Sequence, residues 1–247
     1  MPRVAALVAS LSLLLAGCVA TPQASTTVTV FAASSLTDVF GEIAEEFEAA
    51  NPGTTVVFNF AASSALATQI NEGAPADVFA AASPATMKTV SDAGNVDGEP
   101  VVFVRNQLVI AVEKGNPRNI KGLADLTAPG VSVALCAEQV PCGAAAKTAI
   151  SSANLTITPV SFEENVRAAL SKVSLGEVDA ALVYRTDAAV DDSVDAVEFP
   201  ESANAINDYP IAVLKDAPNK PAAQAFVAFV RSSAGAATLT EYGFQQP

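Results

Sequence analysis

The chain has 247 residues, 13 basic and 26 acidic side chains, a formal charge of −13 and no histidine. That acidity argues against nucleic acid and anionic membrane surfaces as partners, because both are bound through surplus positive charge. The missing histidine rules out Ser-His-Asp and Cys-His catalysis and His-ligated zinc, and neither a Gly-x-Ser-x-Gly elbow nor a Gly-x-x-x-x-Gly-Lys phosphate loop occurs.

Residues 1–17 read as an export signal. Arg3 supplies a minimal positive start, Val4 to Leu15 is apolar apart from Ser10 and Ser12, and Leu15-Ala16-Gly17-Cys18 ends the run. The stretch is too short for a membrane-spanning helix. Leu-Ala-Gly-Cys resembles a bacterial lipobox, which implies cleavage before Cys18 and a lipid on its thiol. A plain signal peptide with a chance cysteine is the alternative. Residues 18–27 then read as the lipidated cysteine and a flexible tether, so the protein is expected outside the cell membrane and anchored to its outer face by lipid alone. No later stretch is long and apolar enough to cross a bilayer.

From Val28 onwards strands and helices alternate. Val28 to Ala33 reads as a buried strand; Ser34 and Ser35 follow, and Leu36, Val39, Phe40, Ile43, Ala44 and Phe47 then recur at helical spacing. Thr54 to Phe60 is a second strand, leading through Ser63-Ser64 into a helix that Gly73 and Pro75 end. Asp77–Ala81 is a strand and Ala85–Ala93 a helix opened by Ser83-Pro84. Val101–Val104 and Leu108–Val112 are strands, and Leu123–Leu126 is a short helix or turn. Val131–Leu135 is a strand, and Val140-Pro-Cys-Gly143 leads into a helix to Ser152. Thr156–Val160 is a strand, Val166–Gly176 a helix, and Asp179–Tyr184 a strand ending in tyrosine. Val197–Phe199 and Pro210–Val213 are strands, and Ala222–Ser232 is the last helix. The pattern predicts an α/β protein with largely parallel sheets.

Four strand-to-helix corners share one character: Ser34-Ser35, Ser63-Ser64, Cys142-Gly143 and Asn165-Val166. Each offers hydroxyl groups or free helix N-terminal amides, and none carries a carboxylate at the corner itself, though Glu163 and Glu164 lie just before the fourth. A deprotonated oxyanion has acceptors only, so a site for one supplies only donors. The competing reading is that the serines merely cap their helices and that Tyr184 sits at the edge of the core. Cys136 and Cys142, in an exported chain, read either as a disulfide pinning this loop, contributing roughly 2 kcal/mol by loop entropy, or as two free buried thiols.

Thr29-Val-Phe-Ala-Ala-Ser-Ser-Leu-Thr-Asp38, Phe60-Ala-Ala-Ser-Ser-Ala-Leu66, Gly73-Ala-Pro-Ala-Asp-Val-Phe79, Val140-Pro-Cys-Gly143, Glu164-Asn-Val-Arg-Ala-Ala-Leu170, Leu182-Val-Tyr184, Tyr209-Pro-Ile-Ala-Val213 and Glu241-Tyr-Gly-Phe244 together resemble the molybdate-binding proteins of bacterial ABC importers. The likeness runs from about Val28 to Phe244. It implies a type II, two-lobed periplasmic binding protein-like fold, each lobe a mixed, mostly parallel sheet flanked by helices. Lobe 1 would comprise residues 28–105 plus 209–247 and lobe 2 residues 106–208, with crossings near Arg105 and Asp208. The resemblance further implies a monomeric binding protein, not an enzyme, with no cofactor, that carries molybdate or tungstate to an ABC permease and its ATPase. By motif position Ser35 and Ser63 would donate hydroxyl and N–H, Cys142 and Val166 backbone N–H, and Tyr184 its phenolic O–H, all to the oxyanion and none to the metal directly. Cys142 departs from the small residue, such as alanine, common there. Sulfate or another tetrahedral oxyanion is the alternative cargo. Arg167, beside Val166, reads as a helix-surface or inter-lobe side chain, with a counter-charge to the anion as the alternative, and Asp38 as a complement to its helix's positive first turn.

Overall fold

The computed structural model describes residues 25–247; the export signal, the lipobox and Cys18 lie outside them. Two five-stranded sheets form the frame. The first has the order β2-β1-β3-β10-β4 and the second β7-β6-β8-β5-β9. In the first, β1 (Thr26–Ala33), β2 (Thr54–Ala61) and β3 (Val78–Ala80) run parallel, while β10 (Asn207–Val213) is antiparallel to β3 and to β4 (Val101–Asn106). In the second, β6 (Val133–Cys136) lies parallel to β7 (Ser161–Glu163) and β8 (Ala180–Tyr184). There β5 (Leu108–Glu113) pairs antiparallel with β8 and β9 (Val194–Val197). Each sheet is therefore mixed, parallel on one side and antiparallel on the other.

Strands β1, β3, β6 and β8 are buried in the interior of their sheets, which helices cover, whereas the edge strands β2 and β7 keep exposed residues. Val28, Val30 and Ala32 have no exposed surface. Helix α1 (Thr37–Ala50) buries Val39, Phe40, Ile43, Ala44 and Phe47 as one stripe. Phe40 and Phe47 meet Phe226 of α7 (Lys220–Val230) edge to face at 6.0 and 5.3 Å. Each ring fully buried this way contributes about 1.5–3 kcal/mol. The remaining helices are α2 (Ser63–Asn71), α3 (Pro84–Asp92), α4 (Pro141–Ser152), α5 (Val166–Ser174), α6 (Arg185–Ala189) and α8 (Ser233–Glu241).

The chain leaves the first sheet at Asn106 and enters the second at Leu108; it returns at Asn207. Arg105 and Asp208 face each other in the β4–β10 register and form an ion pair of 2.6 Å.

Several segments differ from the sequence expectation. Thr26 and Thr27 belong to β1 rather than to a tether, since Thr26 N–H donates to Gly53 O at 2.8 Å and both residues pair with β2. Thr156–Val160 is irregular and the strand is Ser161–Glu163 instead. Pro159 has no N–H to give a ladder, and Val160 N–H is spent on Val133 O. The strand expected at Val197–Phe199 lies earlier, at Val194–Val197, ahead of the turn that Pro200 opens. The C-terminal helix ends at Val230, and Ser232 caps a further helix, α8, by accepting the Gly235 N–H at 3.3 Å.

Candidate functional site

Five strand ends converge between the sheets. Ser35 follows β1 and Ser63 follows β2; Cys142 follows β6, Val166 follows β7, and Tyr184 closes β8. All five line one cavity, together with Ala82, Val140, Pro141 and Asn165. This is the carboxyl-end crevice where open α/β sheets hold ligands. The cavity is small and tightly lined, too narrow for an extended organic ligand. No charged side chain lines it.

The serines are not caps. Neither the 3₁₀ turn Ser34–Leu36, nor α1, nor α2 has a side-chain cap hydrogen bond. Instead Ser63 Oγ accepts the Ala82 N–H at 2.9 Å, which leaves the Ser63 O–H free to donate into the cavity. Ser35 Oγ lies 2.9 Å from Tyr209 Oη. With Tyr209 as donor of that bond, the Ser35 proton too is free to point inward.

Helices α2, α4 and α5 all begin at this cavity, and the first-turn N–H groups of a helix have no partner within it. Three positive dipole ends therefore meet where no formal positive charge stands. Pro141 at the start of α4 suits that position, because it lacks the N–H that would go unpaired. The Cys136–Cys142 disulfide closes the loop ahead of α4, with Cα atoms 5.8 Å apart. Of the two readings open to the sequence, the joined one is the structure's. Cys142 thus keeps a backbone donor while its sulfur is engaged elsewhere. At α5, Asn165 Oδ1 accepts the Ala168 N–H at 3.0 Å, so the acceptor nearest that corner is already satisfied.

Tyr184 is 1 % exposed, and its hydroxyl has no well-aligned hydrogen-bond partner among the described residues, although Tyr209 and Asn207 stand close to it. Burial, and then the neighbouring Tyr209, push its pKa well above the ordinary phenol value. It stays protonated and faces the cavity as a donor. A buried hydroxyl left unpaired costs about 1–3 kcal/mol, so its place at the cavity wall points to a bound acceptor.

The five residues expected from the resemblance line one cavity, but the groups that hold them were not legible in the sequence. Ala82 supplies the N–H that orients Ser63. Tyr209 orients Ser35 from 174 residues away; its motif was legible, its role was not. Arg167 does not line the cavity. It forms ion pairs with Asp38 of α1 and with Asp187 of α6, the latter at 3.1 Å. Asp38 thus has a cationic partner besides its helix terminus.

Comparison with known proteins places this architecture. Residues 28–245 match the family model of bacterial extracellular solute-binding proteins. The molybdate-binding protein ModA of Mycobacterium tuberculosis is 45% identical over 226 residues, covering 91% of this chain and 87% of that protein. ModA of Haemophilus influenzae is 35% identical, covering 95% of this chain and 96% of its own. A solved substrate-binding domain of a putative molybdenum ABC transporter from Clostridium difficile superposes with a TM-score of 0.69 at 27% identity, covering 90% of this chain and 100% of that one. The chain belongs to the bacterial extracellular solute-binding proteins, a family of carriers for transport rather than of enzymes.

Proposed function

We propose that the protein captures molybdate, and tungstate with it, in the cavity between its two sheets and delivers it to an ABC permease, held near that partner by a lipid on Cys18. The observation that carries this reading is the unpartnered Tyr184 hydroxyl, buried at a wall made otherwise of serine hydroxyls and helix N-termini. Ser35, Ser63 and Tyr184 donate O–H, and the amides at Ser35, Ser63, Cys142 and Val166 donate N–H. Each such bond to a charged acceptor is worth about 1.5–3 kcal/mol net. Several together, less the costs of closure and desolvation, support micromolar or tighter binding. Amides held by helix ends set a fixed cage size, which favours molybdate and tungstate over the smaller sulfate. Phosphate near neutral pH keeps a proton best met by a carboxylate, and no charged side chain lines this wall.

Thermal unfolding of residues 19–247 with molybdate, tungstate, sulfate and phosphate in parallel tests the reading. A ligand that binds only the folded state raises the melting temperature by mass action. A rise with molybdate and tungstate alone is expected. A rise with sulfate instead keeps the trap and changes the cargo, and no shift with any anion removes the binding role.

Tyr184→Phe separates ligand from scaffold. The substitution deletes a buried hydroxyl with no well-aligned protein partner, so the anion-free protein keeps its melting temperature to within about 2 °C. Molybdate affinity falls roughly 10- to 100-fold, the loss of one charge-assisted bond. Calorimetric titration beside a melting curve reads both, and a variant that loses stability without losing affinity would assign Tyr184 to the core alone.

A further inference from the structure

The three groups of the Asp38–Arg167–Asp187 cluster each stand within three residues of a cavity donor. Asp38 follows Ser35 on the first sheet's side, Arg167 follows Val166, and Asp187 follows Tyr184 on the second sheet's side. None of the three lines the cavity. The Asp187 side chain is fully buried, and Arg167 and Asp38 are 27% and 42% exposed. Neither Asp187 oxygen nor Arg167 Nε has a well-aligned hydrogen-bond partner among the described residues. With Asp187 ionised, above about pH 7, the cluster is held by charge across the boundary between the two halves, not by a network within either.

We propose that Arg167 is a positioning residue that latches the closed state: anchored beside Asp187 in one half, its guanidinium reaches across to Asp38 in the other and holds the Ser35 corner against the Val166 and Tyr184 corners. The proposal rests on the oxyanion-trap reading above and adds the element that keeps the trap shut. Arg167 and Asp187 share a half, so their pairing survives separation of the halves. The contact with Asp38 does not. A contact made only after the halves meet stabilises the liganded state without helping the anion arrive. Its loss consequently raises the dissociation rate and spares the association rate.

Stopped-flow kinetics with molybdate on the full binding domain test this. Asp38→Asn, at a half-exposed carboxylate whose loss leaves the core intact, is expected to speed dissociation about threefold to fivefold, the upper end for a partly screened pair. Association is expected within about twofold of wild type. In an Arg167→Gln background, Asp38→Asn is expected to have no further effect, since its partner is already gone. Should Arg167→Gln fold poorly because Asp187 is left buried without its cation, Arg167→Gln with Asp187→Asn serves as the background. A wild-type dissociation rate in Asp38→Asn, an effect confined to association, or an undiminished effect in the Arg167→Gln background each overturns the latch. Wild-type protein that does not bind molybdate overturns the underlying function instead, and the latch with it, so the two failures are told apart.

Discussion

Replacing Gly143 with alanine is expected to lower the melting temperature by about 6–12 °C and to weaken anion capture at least about tenfold. A Cβ at this position would lie 2.0 Å from Ala137 O, 2.5 Å from Ala137 C and 2.7 Å from Cys136 O. All three are backbone atoms, and they cannot easily yield. Ala137 N–H donates to Glu163 O at 2.9 Å, and Ala137 O accepts the Val140 N–H at 3.1 Å. The Cys136–Cys142 bridge then ties the loop to the first turn of α4. Overpacking typically costs 1–3 kcal/mol, and a clash with pinned backbone belongs at about the upper end. For a chain of this size each kcal/mol moves the melting temperature by about 2–4 °C. Relief of the clash must shift α4, which displaces the Cys142 amide from the cage. Differential scanning calorimetry with an affinity titration checks both effects. A melting temperature within about 2 °C of wild type would show that the loop yields more freely than its hydrogen bonds imply.

A second large effect concerns pH. Burial raises the Asp187 carboxyl from its ordinary 3.8 to about 7, with Arg167 opposing the shift. Between those two values the folded protein holds a proton that the unfolded chain has released. Stability is therefore full below about pH 4 as far as this group is concerned, and falls as pH rises towards 7. A shift of about three units corresponds to on the order of 4 kcal/mol across the window. Asp179 and Asp191 shift the other way. Hydrogen bonds from Ser174 and Ser193 lower Asp191; at Asp179 burial alone would raise the carboxyl, but bonds from Ser132 and Arg118 outweigh it. Their contributions vanish only as pH falls through values below 3.8, outside the window in question. The melting temperature of the anion-free protein is expected to rise as pH is lowered from about 8 to 5, and Asp187→Asn to flatten that slope. Equal slopes in variant and wild type would show that Asp187 is not the group responsible.

The cavity was largely legible from local pattern. A buried strand followed by Ser-Ser and a helical stripe announces both an element boundary and a pair of hydroxyls, and it does so at Ser35 and again at Ser63. Pro141 ahead of Cys142 and Asn165 ahead of Val166 mark helix starts in the same way. Local signals failed where a segment's structure is set by its neighbours. Thr156–Val160 has the residue types of a strand, yet it lies at the sheet margin and Pro159 interrupts its donors. Arg185–Ala189 and Ser233–Glu241 are helices without a strong apolar stripe, stabilised by the elements they cover.

By itself the sequence determined the alternation of strands and helices, the donor-bearing corners and the absence of catalytic histidine, because each follows from residues adjacent in the chain. Tertiary structure alone decided that the corners share one cavity, that Cys136 and Cys142 are joined, that Tyr209 and Ala82 orient the serines, and that Arg167 bridges two aspartates from opposite halves. Such contacts join residues up to 174 positions apart. Nothing local encodes them; they exist only once packing of the two sheets has brought the strand ends together.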